Sequence, residues 1–225
     1  MEAVPGGHAV LLDGKRMHLP GGSVLRVVSA NLAHAIAAEW QAAGGVKGGE
    51  MSYADTPLTR IAGTAEERIA PDPVPTIDAL AAYAESDLLY YRAEAPEALI
   101  QRQARNWQPW LDWAALTFDA PLKTTVGIAY VSQDPSSLRA LRQALTRYDP
   151  VTLAALGVAV PLLGSLVLGL AMAENQLDAK TAYEIGAIDE LFQVEFWGED
   201  SEAAARRTAI AADIALAGRL MELVR

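Results

Sequence analysis

The sequence contains no cysteine and only three histidines among its 225 residues. The lack of cysteine excludes disulfides, thiolate nucleophiles and every zinc or iron–sulfur site that uses a cysteine ligand. His8, His18 and His34 lie near the N-terminus, and no carboxylate stands at a metal-motif spacing from them. We therefore interpret them as solvent-facing or edge-strand residues and expect no metal.

Phosphate-binding and nucleophile motifs are also missing. Neither G-x-x-x-x-G-K-[ST] nor G-x-G-x-x-G occurs. The glycine-rich stretch at 44–49 follows a predicted helix instead of a strand, so we interpret it as a flexible connector. No G-x-S-x-G elbow accompanies the histidines, which argues against a Ser-His-Asp triad. The sequence predicts no cofactor, and it offers no recognisable set of catalytic residues.

Basic residues are few compared with acidic ones. Lys and Arg number 18 and Asp and Glu number 28, so the formal net charge is −10. A nucleic-acid-binding protein needs a basic surface to displace counterions from phosphates, so this class is excluded. The N-terminus lacks the charge and hydropathy pattern of a secretory or organellar leader, and we expect a cytoplasmic location in a bacterium.

A single long uncharged run stands at 151–173, and its length suits a membrane-spanning helix. Asp149-Pro150 predicts a helix start, and Pro161 predicts a stop in the middle of the run. Two helices of about ten residues are typical of a buried core. We therefore predict no membrane insertion, and a membrane-associated adaptor is kept as an alternative.

The first part of the chain has the pattern of short β-strands. Asp13-Gly14 separates two apolar runs, 9–12 and 15–19, as in a type I′ hairpin, and 23–28 reads as a third strand. Ser29 is a predicted N-cap of a helix that ends at Gly44. Residues 1–56 are therefore predicted to form a β-rich N-terminal domain with one helix.

The remainder, 57–225, is predicted to be an α-helical domain, which makes the fold α+β with a small antiparallel β element. Thr56-Pro57 predicts the cap and first turn of its first helix. Later helices are expected at 76–90, 96–118 with a break near Pro109, 135–148, 178–197 and 200–224, with one strand at 123–131. Asp178 is a predicted helix start and Gly198 a predicted helix stop. Without a heptad seam, the chain is predicted to be a monomer.

Two segments rich in aromatic residues stand out. Trp107, Trp110 and Trp113 recur every three residues, a pattern that favours core or helix–helix packing over an exposed anchor. The segment 188–200 interleaves acidic and aromatic residues. It is interpreted as a solvated acidic face, a surface that recognises a protein, or an acid–base pair of Asp189 and Glu190. The last is disfavoured because adjacent helical side chains diverge by about 100°.

Seven motifs, in order and at specific spacing, resemble the assembly chaperones of the ATP synthase F1 alpha subunit in mitochondria and alphaproteobacteria. The motifs are LDGK (12–15), AIAAEW (35–40), PLTRIAGTA (57–65), YAESDLLYYRA (83–93), WQPWLDWA (107–114), GSLVLGLA (164–171) and IDELFQVEFWGED (188–200). The resemblance implies a chaperone, not an enzyme, that binds the unassembled alpha subunit until the beta subunit displaces it. It also implies a mitochondrial matrix location for eukaryotic relatives.

The resemblance assigns roles to individual residues. Glu190 matches an acidic position on which chaperone activity is thought to depend, and Asp189 and Gln193 are its neighbours. Arg60 is expected to contact the partner or to pair with an internal carboxylate. Structural roles are expected for Trp40, Trp107 and Trp113, and the remaining alternative is a small hydrolase or isomerase that uses Asp189, Glu190 and Glu195.

Overall fold

The computed structural model describes residues 1–44, 54–198 and 200–225. Short strands near the N-terminus precede a series of helices, which confirms the α+β prediction. The chain forms two compact units, the first of Met1–Pro73, Asp149–Ala155 and Arg219–Arg225 and the second of Val74–Tyr148 and Leu156–Gly218. The predicted division after residue 56 stays a prediction.

Five short strands open the first unit: β1 (Glu2–Val4), β2 (Gly7–Ala9), β3 (Leu11–Leu12), β4 (Lys15–Arg16) and β5 (Arg26–Val27). They form an antiparallel sheet in the order β1-β2-β5 and a β3–β4 hairpin that pairs Leu12 with Lys15. Asp13 and Gly14 have φ of 50° and 78°. These positive angles are those of a type I′ turn, so the predicted hairpin is confirmed.

Two helices complete the main part of the first unit, α1 (Ala30–Ala43) and α2 (Pro57–Thr64), which continues as a π-helical turn (Ala65–Ile69). The Ser29 side chain caps α1, as predicted. The Thr56 side chain does not cap α2. Instead the Glu39 carboxylate of α1 accepts hydrogen bonds from the backbone N–H groups of Leu58 and Thr59, at 2.6 and 3.0 Å.

The second unit is mostly helical. Its elements, including the two helices whose ends fall in the first unit, are α3 (Val74–Ala81), β6 (Tyr91–Arg92), α4 (Glu97–Phe118), β7 (Thr125–Val126), α5 (Pro135–Leu145), α6 (Pro150–Leu163), α7 (Leu166–Ala173), α8 (Ala179–Gly186), α9 (Ile188–Trp197) and α10 (Ser201–Leu223). β6 and β7 pair in parallel, so only two residues of the strand predicted at 123–131 are extended in a ladder. Trp107, Tyr90, Leu141 and Leu145 are among the fully buried side chains of its core.

Two predicted helix breaks at proline are wrong. Pro109 lies inside the continuous helix α4, and Pro161 lies inside α6. A proline removes the donor to the carbonyl four residues earlier, which here belongs to Arg105 and Gly157. Both of those residues are exposed, so water can bind the carbonyl that loses its helical donor.

The uncharged run at 151–173 is divided at Gly164 and not at Pro161. Gly164 has φ of +63°, and the Ser165 side chain accepts a hydrogen bond from Leu168 N at the start of α7. Left-handed backbone is inexpensive for glycine, so the helix ends there. Among the residues that the structure describes, no helix is long and apolar enough to cross a membrane.

Most of the glycine-rich connector predicted between α1 and α2 lies outside the described residues, at 45–53. The predicted helix at 178–197 is divided at Ala187 into α8 and α9, and Asp178 caps the first of them as expected.

Candidate functional site

Helix α9 carries Asp189, Glu190 and Gln193, three of the four residues predicted to bind a partner. Ile188 and Phe192, one turn apart, are buried and hold one side of α9 in the core of the second unit. Gly198, with φ of +84°, ends the helix as predicted. Gln193 and the three residues 195–197 are exposed, so it is the later part of α9 that faces solvent.

Asp189 is bound to helix α4. The Gln103 side-chain amide, which is almost fully buried, donates from Nε2 to Asp189 Oδ1 at 2.7 Å. The Gln103 amide oxygen accepts from the backbone N–H of Ala93 at 2.8 Å. Asp189 thus belongs to a hydrogen-bond chain that ties α9 to α4 and to the residue after β6.

Glu190 points to helix α10. Its Oε1 accepts hydrogen bonds from Arg207 Nη1 at 3.2 Å and Arg206 Nη2 at 3.4 Å. The Arg207 side chain is only 7% exposed, whereas that of Glu190 is 36% exposed. A buried guanidinium beside a half-buried carboxylate is screened less by salt than a pair on the surface.

Glu195 forms the third anchored carboxylate of α9. Arg102 donates from Nη1 and Nη2 to both of its oxygens, at 2.6 and 2.8 Å, in a bidentate pair. These hydrogen bonds lower the pKa of Glu195 and raise that of Arg102. The Arg102 guanidinium also lies 5.1 Å from the centre of the Phe192 ring. It therefore packs against α9 in addition to neutralising the charge of Glu195.

The C-terminal turn of α9 presents apolar groups to solvent. Phe196 is 64% exposed and Trp197 is 79% exposed. The Phe196 ring packs against the buried Phe192 ring, with centroids 4.7 Å apart, and this contact holds it in place. Gln193 is exposed on the same helix. We call this surface, made of Glu190, Gln193, Phe196 and Trp197, the α9 patch.

The carboxylates of α9 are therefore hydrogen-bonded to other helices and do not form a freely solvated acidic face. Asp189, Glu190 and Glu195 each bind a different partner, on α4, α10 and α4 respectively. This arrangement separates Asp189 from Glu190 and does not place them around one reacting atom, as an acid–base pair requires. Within the described ranges, no group of three or more His, Asp or Glu side chains is placed to hold a metal ion.

The other predicted residues lie elsewhere. Arg60 is exposed on α2 in the first unit. Trp40, also in the first unit, is half-buried and donates from Nε1 to Thr59 Oγ1 at 2.8 Å, which joins α1 to α2. In the second unit Trp107 is fully buried, and half-buried Trp113 makes an edge contact with Phe118 at 5.1 Å between centroids.

The sequence interpretation missed four residues that hold α9: Arg102 and Gln103 on α4, and Arg206 and Arg207 on α10. They stand 86 to 93 positions before and 16 or 17 positions after their partners. No short motif relates residues so far apart. Only the Arg206-Arg207 dipeptide, in an otherwise alanine-rich helix, was a signal that a carboxylate partner was needed.

Comparison of the chain with known proteins identifies its family. Residues 1–115 match the family described as ATP12 chaperone protein. Atp12 from Paracoccus denitrificans has a crystal structure that is 43% identical, with a TM-score of 0.90 over 98% of this chain and 93% of that one. An aspartate-to-lysine mutant of Atp12p from the same bacterium is 42% identical, with a TM-score of 0.92 over 100% and 94% of the two chains.

A protein of Agrobacterium tumefaciens is 34% identical, with a TM-score of 0.91 over all of this chain and 82% of that one. The fold is thus shared over essentially the whole sequence, including helices α5 to α10 that follow the matched residues 1–115. On these grounds the chain belongs to the ATP12 chaperone family.

Proposed function

We propose that this protein is an assembly chaperone of ATP synthase that binds the unassembled alpha subunit of F1 and is displaced by the beta subunit. Its membership of the ATP12 chaperone family supports a chaperone role. An alpha subunit without its beta neighbour exposes an apolar surface that promotes aggregation. A protein that covers this surface stabilises the unassembled subunit by mass action.

The observation that carries this proposal is the α9 patch. Two large aromatic side chains, Phe196 and Trp197, are mostly exposed at the end of a helix whose Glu190 and Glu195 carboxylates are held in place by arginines. Aromatic residues are enriched among the side chains that dominate protein–protein binding energy. A fixed charge beside them supplies orientation, so the patch is suited to a protein partner.

The proposed activity requires no bond-making step and no cofactor. Release follows when the beta subunit, the partner with higher affinity, competes for the same surface of the alpha subunit. We further propose that the chain acts as a monomer in the cytoplasm, without insertion into a membrane.

A pull-down tests the proposal directly. The tagged chain is mixed with purified F1 alpha subunit, with beta subunit, and with both together. We expect recovery of alpha alone and not of beta alone, and we expect added beta to release alpha from the tagged chain. Failure to retain alpha, or stable retention of an alpha–beta complex, would contradict the proposal.

Reversal of the charge at Glu190 is expected to weaken alpha binding by at least tenfold while the protein stays folded. Glu190→Lys removes the negative charge that the α9 patch is proposed to present to the alpha subunit and puts a positive charge in its place, next to Arg206 and Arg207. Because position 190 is partly exposed, the new side chain can turn to solvent and the helix is expected to persist. The measurements are the alpha-subunit Kd and the far-UV circular dichroism spectrum.

The matched control is Glu184→Lys, which makes the same charge change on the neighbouring helix α8. Glu184 is half-exposed and lies 3.8 Å from Lys180 in a surface ion pair of small energetic value. We expect it to leave the Kd within about threefold of the unchanged protein. If Glu190→Lys unfolds the chain, Glu190 is structural and its assignment to the binding surface is wrong.

A further inference from the structure

A groove of about 250 Å³ lies within the first unit, far along the sequence from α9. One wall is the turn after β4, and the other is α2 with the π-helical turn that extends it. Its lining combines apolar and polar residues: Leu19, Pro20, Thr59, Arg60, Gly63, Thr64, Glu67 and Arg68. None of these residues belongs to the α9 patch.

The two walls are held together by specific contacts. A Cβ at position 63 would lie 2.9 Å from Leu19 Cδ2, so α2 and the turn pack closely at this glycine. Glu67 Oε1 accepts hydrogen bonds from Gly21 N and Ser23 Oγ, each at 2.9 Å. The groove is thus preformed, which lowers the entropic cost of binding a ligand there.

Two arginines line the groove. Both Arg60 and Arg68 are exposed, and in the described part of the chain neither forms an ion pair. By contrast, Arg16, Arg102 and Arg142 each have a carboxylate partner. The carboxylate of Glu67 is engaged with the opposite wall, as described above.

The π-helical turn contributes to this arrangement. In a regular α-helix, residues eight positions apart diverge by about 80° around the axis. The wider turn of Ala65–Ile69 shifts the later residues, and Arg60 and Arg68 line the same groove. Single π-helical turns are rare and occur frequently at functional sites.

We propose that this groove is a second docking site for the client, and that it takes an extended segment bearing two carboxylates on either side of an apolar side chain. This inference rests on the proposed function, because it adds a second surface, apart from α9, at which the alpha subunit would bind. Charge complementarity is the argument, since two unpaired guanidiniums line a groove whose other wall presents the apolar side chains of Leu19 and Pro20.

The spacing of the arginines specifies the segment further. Eight residues of helix rise about 12 Å along the axis. An extended chain advances about 3.3 Å per residue, so carboxylates three or four residues apart would reach both guanidiniums. Arginine is suited to this task because its planar fork binds a carboxylate through two hydrogen bonds.

The test compares two double variants that change the net charge equally. Arg60→Glu with Arg68→Glu reverses the groove, and Arg105→Glu with Arg139→Glu reverses two exposed arginines on α4 and α5. The measured quantity is the Kd for purified F1 alpha subunit at 50 and at 300 mM salt. We expect the groove variant to bind at least tenfold more weakly at low salt, and the control to stay within about threefold.

Salt provides a second readout that a purely structural role would not change. Because the proposed contacts are charge pairs, raising the salt concentration is expected to weaken the unchanged protein and the control more than the groove variant. Arg60→Ala with Arg68→Ala gives the same comparison without introducing new acidic groups, in case the reversal unfolds the chain. Circular dichroism verifies the fold of each variant.

The outcomes separate the two proposals. If the unchanged protein binds alpha and a folded groove variant binds it equally well, the groove inference is overturned and the proposed function stands. If the unchanged protein does not bind alpha, both are overturned. A loss of binding shared equally by the groove and control variants shows a net-charge effect and also overturns the groove.

Discussion

Replacing Trp107 by alanine is expected to lower the free energy of unfolding by about 3–5 kcal/mol, the range for a large aromatic side chain removed from a core. Trp107 is completely buried in the second unit. Its indole Nε1 donates to the backbone carbonyl of Ile185 at 2.9 Å, and the Arg92 guanidinium lies 5.3 Å from the ring centre. The side chain therefore joins α4 to α8 and supports β6, and its loss leaves a cavity and an unpaired carbonyl.

Urea unfolding followed by circular dichroism measures this effect. The matched control is Trp110→Ala, three residues away in the same helix, where the ring is half-buried and contacts Trp113 at 6.1 Å between centroids. We expect that variant to lose about 1 kcal/mol. A loss of less than 1 kcal/mol for Trp107→Ala would show that the core repacks around the cavity. The structural role assigned to Trp107 would then be wrong.

Replacing Asp87 by alanine is expected to have the second largest effect, a loss of about 3–4 kcal/mol at pH 4. The carboxyl group is fully buried. Its Oδ1 accepts from Leu89 N at 3.0 Å, and its Oδ2 accepts from Ser165 Oγ and Val167 N at 3.0 and 3.1 Å. Alanine leaves these donors without a partner, and each unpaired buried donor costs about 1–3 kcal/mol.

The effect is expected to depend on pH in a direction opposite to that of most carboxylates. Burial raises the pKa of Asp87 to about 6, against the hydrogen bonds that lower it. Between about pH 4 and 6 the group is then ionised in the unfolded chain and protonated in the folded one, so unfolding releases a proton and stability falls as pH rises. The change amounts to about 3 kcal/mol, because each pKa unit corresponds to about 1.4 kcal/mol.

Asp87→Ala lacks this titration, so the difference between it and the unchanged protein should shrink from pH 4 to pH 7. The control is Asp78→Ala, which removes an exposed carboxylate paired with Arg142 at 2.7 Å and should cost less than about 1 kcal/mol. Urea unfolding at both pH values gives the differences. A gap for Asp87→Ala that is constant or grows with pH would contradict the raised pKa.

Asp87 belongs to a motif whose structural role the sequence did not indicate. The stretch 83–93 and the stretch 164–171 are both motifs of the family resemblance, 78 positions apart at Asp87 and Ser165. The sequence marked each as distinctive but did not indicate that they contact each other. Their conspicuous residues form one buried hydrogen-bond cluster, in which Ser165 also caps α7.

Local signals predicted local structure well. The Asp13-Gly14 hairpin, the Ser29 and Asp178 caps and the end of α9 at Gly198 are where the sequence placed them, because each depends on the conformational preference of one or two residues. The same reasoning gave wrong helix ends at Pro109 and Pro161. Their penalty depends on whether the carbonyl four residues earlier can be hydrated, and exposure is a tertiary property.

By itself, the sequence determined the α+β class and the family to which the chain belongs. That the acidic and aromatic segment at 188–200 binds a partner stays a prediction. Only the tertiary structure decided what those residues contact: Glu190 meets arginines of α10, Asp189 and Glu195 meet α4, and Arg60 shares a groove with Arg68. Helical periodicity specifies which side chains share a face, since it arises from backbone geometry. Which groups oppose that face depends on the packing of distant segments, and no short-range pattern records it.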